Sequence, residues 1–446
     1  MSRDTPSRRR NFGATVFFPG KEPHPPGKTG TRGSGEADSC GMRFQVGILP
    51  EPFVTFRRLG SPGTGIDGLR LGAACRRRSS CCRYMASTYP FGNDPAKIAG
   101  YRAFWERSPA RRPLVGFSVK SWFPLQEFSA SAAWQDSKIL TPRMVDPEAF
   151  LDDQERLLRE GEVMEDDILR GACPSQAVPW LDGMLGAKLR ILPGTILGVE
   201  RTLPWDELES IRLDPGNPWF VKYFDFVGAL VGRSAGRYPV SHGTLIGPSD
   251  IAALLRGHTR SVLDLLECPD ETRRLLGRCG DVFRQVTEEA WKRIPLFHGG
   301  YYDAQYQLWS PGPIVRLQED ASGTFSPRLY RERLQPVDRE VARHFPNAFI
   351  HLHTNSMFLY DLFLEVEEIR CFQVNYEAGS GGPPVAGMIP AFRKIQAAGR
   401  PLLVRGSFTP DELRLLAGSL DPRGLYLYLM VGSLREAEAL RPALGM

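Results

Sequence analysis

From residue 85 to the end of the chain, short apolar runs rich in β-branched and aromatic residues alternate with helical patterns, and this cadence limits the possible folds more than any other feature. The runs "LVGFSV" (114–119), "GRYPVSH" (236–242), "PIVRLQE" (313–319), "AFIHLHT" (348–354), "RCFQVNY" (370–376), "PLLVRG" (401–406) and "LYLYLMV" (425–431) predict strands. Between them the pattern predicts helices over 249–256, 269–293, 326–344, 385–398 and 409–418. Two helices carry start signals: Ser326 before Pro327, and Thr409 before Pro410, each pairing an N-cap oxygen with a proline at the first helical position. Repeated strand–helix units predict a parallel α/β fold, and the even spacing of the last five units favours a closed barrel over an open sheet.

In such a barrel the chemistry sits at the carboxyl ends of the strands. Those ends hold His242, then Gln318, Glu319 and Asp320, then His351 and His353, then Asn375 and Glu377, then Arg405. Each of these side chains needs a partner if buried, so as core filling they are costly, and the pattern points to one polar pocket. For any single member, a hydrogen-bonded structural role is the competing reading. The sharpest signal is "HLH". The chain has seven histidines, two of them one residue apart on a predicted strand, so His351 and His353 share a face.

Charge divides the chain at about the same place as the cadence. Residues 1–84 hold 15 Lys+Arg and 6 Asp+Glu; removing them from the totals of 56 and 51 leaves 41 basic and 45 acidic residues for 85–446. The basic balance belongs to the first segment, and the body gives no electrostatic case for nucleic acid. That first segment has "RRR" twice, Gly/Pro/Ser-rich stretches and no amphipathic period, so it is expected to be disordered. Three readings compete for it: a transit-like peptide, a basic nucleic-acid tail, and upstream sequence of an over-long gene model with Met85 as the true start. The compositional break favours the last. In the body, Cys173, Cys268, Cys279 and Cys371 have no C-x-x-C spacing, as expected of reduced residues in a cytoplasmic protein. The longest apolar runs, such as "YLYLMV" (426–431), fall far short of the roughly 20 residues of a spanning helix, so no membrane segment is expected.

Taken together and in order, "GACPSQAVPWLDGMLGAKLRI", "GPSDIAALLRG", "CPDETRRLL", "LQEDASGTFSPRLYRERLQP", "HLHTN" and "VRGSFTPDEL" resemble the uroporphyrinogen decarboxylase superfamily, over nearly all of 85–441. The resemblance implies a single (β/α)8 TIM barrel domain over 85–446. The superfamily includes the haem-pathway decarboxylase and the corrinoid-linked methyltransferases. The decarboxylase's arginine-rich motif after its first strand is absent here: Arg111 and Arg112 precede that strand, and Lys120 follows it. Counting back from Ser326 as in the decarboxylase gives Glu319, with Asp320 beside it. In the methyltransferases a His-x-Cys at a strand end and a distant Cys bind zinc. "HLH" takes that place, with His353 where the Cys would stand, and no cysteine follows Cys371.

These residues and the resemblance imply an enzyme with a small-molecule substrate. The favoured reading is methyl or related group transfer to a thiol or similar acceptor, with a corrinoid or corrinoid protein as donor and zinc held by His351, His353 and Glu377 around an open position. His353, Asp320 and Glu319 are the candidate catalytic residues. His242, Gln318, Asn375, Arg405 and Trp180 are the candidate substrate-binding residues, with Trp180, Tyr301, Tyr302 and Trp309 forming either apolar pocket walls or core. In a metal-free version His353 or Asp320 moves the proton and Arg405 holds an anionic group. The alternatives are cofactor-free decarboxylation of a porphyrinogen-like polycarboxylate and non-catalytic binding of a tetrapyrrole or corrinoid. "GSGGPP" (379–384) reads as a loop, since it lacks the lysine and spacing of a phosphate loop.

Overall fold

The computed structural model describes residues 89–119, 125–134, 136–377 and 382–446. The leader over 1–84, Met85, Lys120 and the first half of the 379–384 loop therefore lie outside the described residues.

Eleven strands are described: β1 (Leu114–Ser118), β2 (Ile139–Leu140), β3 (Leu189–Leu192), β4 (Thr195–Gly198), β5 (Tyr301–Asp303), β6 (Leu308–Ser310), β7 (Ile314–Gln318), β8 (Asn347–His353), β9 (Ile369–Tyr376), β10 (Leu402–Gly406) and β11 (Leu425–Met430). Six form one sheet in the order β1-β11-β10-β9-β8-β7, with every pairing parallel. Helices join successive strands, as parallel pairing requires. They include Gln335–Ala342 between β7 and β8, Val385–Ala397 between β9 and β10, and Pro410–Ser419 between β10 and β11.

The sheet is covered on both faces, and the two-residue alternation of each strand decides which side chain meets which layer. Val315, Leu317, Ile350, Leu352, Phe372, Val374, Val404 and Leu427 pack on the helix side with Val341, Phe363, Phe392 and Leu413. Facing the other way, Ile314, Phe349, Cys371, Leu403 and Tyr426 meet a second cluster around Tyr101, Tyr302, Tyr306 and Trp309. On this second face, apolar residues fill the amino-terminal half of the strands, and the polar residues lie further along. The site is built on that face.

Three expectations need correction. The sheet contains six strands among the described residues, and the strand expected at 236–242 is a single parallel bridge, Ala172 to Val240. Pro239 explains the shortfall: it has no N–H to donate, and its carbonyl instead accepts from Ala172 N–H at 2.9 Å. The segment leading to Ala172 lies against β1, where Asp167 N–H donates to Val115 O at 3.0 Å. Gly116 permits that approach, since a Cβ there would stand 2.4 Å from Ile168 Cδ1. The helix expected over 326–344 is interrupted. Ser326 caps it, accepting from Leu329 N–H at 3.3 Å, but a π-turn at Tyr330–Leu334 separates Pro327–Leu329 from Gln335–Ala342. Pro336 cannot make the helical bond to the preceding turn, which accounts for the widening.

The antiparallel sheet β2-β3-β4 lay outside the strand pattern read from the sequence. Its hairpin turns on Pro193 and Gly194, the latter at φ 80°, as a type II turn demands. Among the described residues no helix is long and apolar enough to cross a membrane.

Candidate active site at the strand ends

Register brings the polar residues of four strands into two adjacent rows. Gln318, His351 and Gln373 are successive partners across β7, β8 and β9. One step further along, His353, Asn375 and Arg405 are partners across β8, β9 and β10. The alternation that gave His351 and His353 a common face thus applies to three neighbouring strands, and it yields a polar floor rather than an isolated pair.

His351 and His353 meet through their Nε2 atoms at 3.1 Å. Each ring is held from behind at Nδ1. That of His353 contacts Glu377 Oε1 at 2.6 Å; that of His351 contacts the Gln373 side-chain oxygen and lies 2.8 Å from the Tyr306 hydroxyl. Gln373 is oriented by its own amide, whose nitrogen donates to Asn375 Oδ1 at 3.0 Å. A carboxylate and an amide oxygen accept only, so each Nδ1 can donate, and the two Nε2 atoms face each other with either one proton or a metal ion to share. Asp320 stands at the same place: its Oδ1 is 3.7 Å from His353 Nε2, and one ligand atom from each of Asp320, His351 and His353 lies within 4.8 Å of the others. Gln318 orients Asp320, donating to Oδ2 at 2.9 Å, while Asp250 accepts from the Asp320 and Ala321 amides at 3.2 and 2.8 Å.

Electrostatics keep His351 neutral. Burial pushes its pKa well below the usual imidazole range, and the charges of His353, Arg316 and Arg405 push the same way. Arg316, buried beneath the site, bonds Gln305 and lies 3.9 Å from Asp303. Asp250 is held well above the usual carboxyl range, first by burial and then by the neighbouring Asp320 charge.

The remaining expected residues fall in different places. Glu377 lies behind His353, on the Nδ1 side. Glu319 follows the alternation to the helix side of the strand end, where its Oε2 accepts from Ser249 N–H at 2.9 Å and it packs against Asp338. Burial and the Asp338 charge hold Glu319 well above its ordinary pKa, and Asp338, bonded by the Tyr330 hydroxyl at 2.7 Å, is pushed up to about 7 by burial. His242 is buried, donates from Nδ1 to Gly243 O at 2.8 Å and has no partner at Nε2, with Trp291 edge-on at 5.1 Å. Trp180 is fully buried among Trp219, Tyr223 and Phe226 and donates to Ser175 O at 2.9 Å, so it belongs to the aromatic core. Tyr302 and Trp309 pair across the β5–β6 hairpin and are also core.

Sequence reasoning missed Tyr306, Gln373 and Asp250. Gln373 was findable, since it has the same parity on β9 as Asn375. Tyr306 sits in a hairpin loop that the strand-end rule does not reach.

No family model matches the sequence, and no curated protein matches it. Among solved structures the chain is similar to a methyltransferase from Methanosarcina mazei, with a TM-score of 0.52 and 13% identity, over 78% of this chain and 98% of that one. The two share a fold. That likeness agrees with the parallel α/β architecture and is independent of any side chain in the site.

Proposed function

We propose that the chain is a divergent uroporphyrinogen decarboxylase-superfamily enzyme of the methyltransferase kind, with a zinc ion held by Asp320, His351 and His353. The reading closes the six-stranded sheet into a barrel, with the segments around Ala172 and Val240 standing in for the two missing strands. The name of the structural neighbour and the order of the sequence motifs support this superfamily reading.

One observation carries the metal: two imidazoles, each held from behind at Nδ1, bring their Nε2 atoms to 3.1 Å with the Asp320 carboxylate beside them. Such a contact is repulsive unless a proton or a metal ion lies between the two nitrogens. Two nitrogen ligands at about 2.0–2.1 Å in tetrahedral geometry stand about 3.3 Å apart, close to the separation found. Burial disfavours a proton on His351, and a metal ion gains three ligands at once, the two imidazoles and the Asp320 carboxylate. Glu377 and Gln373 then have the usual task of groups behind ligating histidines, fixing the tautomer and ring orientation. Three protein ligands and an open position are the donor set of a catalytic zinc site.

When bound, zinc supplies the Lewis acidity that lowers the pKa of an acceptor thiol. The chain's own residues supply the rest. Arg405 and Asn375, beside His353 in register, hold an anionic group of the substrate. Buried His242 offers a lone acceptor at Nε2. The methyl donor is a corrinoid, free or carried by a protein.

The test is methyl transfer from methylcobalamin to 2-mercaptoethanol, followed by the cobalamin absorbance change. Zinc-dependent transfer, abolished in His351→Ala, is expected. Carbon dioxide release from a tetrapyrrole polycarboxylate by metal-free protein would establish decarboxylation instead.

A further inference from the structure

At the opposite end of the sheet, where β1 and β11 begin, a cleft of about 430 Å³ opens between the first helix and the strand starts. Its volume is in the range of small-molecule sites. One side is apolar, formed by Ala103, Phe104, Leu114 and Leu425. The other is polar, with Lys97, Arg111, Arg112, Asp166 and Asp167.

The carboxylates on the polar side are already engaged. Asp167 takes both nitrogens of the Arg112 fork, at 2.5 and 2.9 Å, and the Val115 N–H at 2.9 Å. Asp166 accepts from Arg170 at 2.6 Å and from Phe117 N–H at 2.7 Å. Lys97, whose side chain is 21% exposed, donates to Ile168 O at 2.8 Å and stands 4.0 Å from Asp166. Asp166 thus serves two cations, the fully buried Arg170 and Lys97. Exposed Arg111 adds a further positive charge at the wall, and half-buried Asp94 is a further acid near Lys97. Of the residues that line the cleft, three are cationic (Lys97, Arg111 and Arg112) and two are carboxylates (Asp166 and Asp167), next to an apolar surface.

We infer that this cleft binds a small molecule with an anionic phosphoryl or carboxyl head, which Lys97 and Arg111 meet, and a compact apolar body lying on Ala103, Phe104 and Leu114. The cleft lies at the amino ends of the strands, away from the histidines, and Asp166 ties it to Arg170, which also donates to Phe117 O at 3.1 Å near the carboxyl end of β1. This inference stands independently of the metal reading.

The experiment is calorimetric titration of the full chain with phenyl phosphate, with pyrophosphate and phenol as comparisons. Phenyl phosphate should bind, pyrophosphate should compete with it, and phenol should bind at least tenfold more weakly, because the charge-assisted contacts are missing. Arg111→Glu, at an exposed position, should weaken phenyl phosphate by roughly tenfold or more. Ala103→Trp, which fills the apolar side without touching a charge, should abolish binding at unchanged melting temperature. No binding of phenyl phosphate up to about 10 mM would overturn the inference, as would equal binding of phenol or unchanged affinity in both variants.

Discussion

At the scale of single residues, the account rests on what each side chain's second polar atom does. In the proposed zinc site Glu377 would act only through His353, as a positioning residue. Glu377→Ala is expected to lower zinc affinity by roughly 10- to 100-fold, measured by chelator competition, with the fold intact by circular dichroism. Asp182 gives a separate pH signature. It is buried, one of its oxygens has no partner, and burial pushes its pKa from 3.8 up to about 7. Between those values the folded chain keeps a proton that the unfolded chain has lost. The stability contributed by Asp182 should therefore fall as pH rises from about 4 to about 7, by on the order of a few kcal/mol, and level off above. Asp338, also near 7, acts with the same sign, so Asp182→Asn should make the slope shallower in denaturant unfolding across this range without abolishing it; an unchanged slope would contradict the Asp182 contribution.

At the scale of elements, legibility followed local signals. β7 to β11 were visible because apolar runs and caps are properties of short sequence stretches, and the Thr409 start proved to be a reciprocal capping box with Glu412. Thr409→Ala should cost about 1 kcal/mol, read from the unfolding midpoint. The first half of the chain was harder to read. The 236–242 run has the composition of a strand, but Pro239 leaves it one bridge, and the backbone bonds that replace a strand join residues far apart in sequence. The same reasoning separates the site residues. His351, His353, Asn375 and Arg405 were legible together because strand alternation places them on one face. Glu319 and Asp320 are adjacent in sequence, and the same alternation sends Glu319 toward Asp338 and leaves Asp320 beside His353. Glu377 keeps the parity of Gln373 and Asn375, which made it a candidate, but it lies past the last residue of β9, and no local signal showed that it meets His353 at Nδ1.

At the scale of the whole molecule, the two faces of the sheet have different tasks. The helix side is a continuous apolar core, and the other side grades from apolar at the amino ends of the strands to polar at the carboxyl ends. An ion that binds only the folded chain stabilises all of it. Zinc at about 1,000 times its dissociation constant should add about 4 kcal/mol, and a chelator should lower the melting temperature of wild type but not of His353→Ala. The central claim is the metal at Asp320, His351 and His353, and elemental analysis of the purified full chain tests it most directly. Close to one zinc ion per wild-type chain is expected, with near-total loss in His351→Ala, His353→Ala and Asp320→Asn, all folded. Folded wild type without metal after zinc loading, or zinc retained in all three variants, would contradict it.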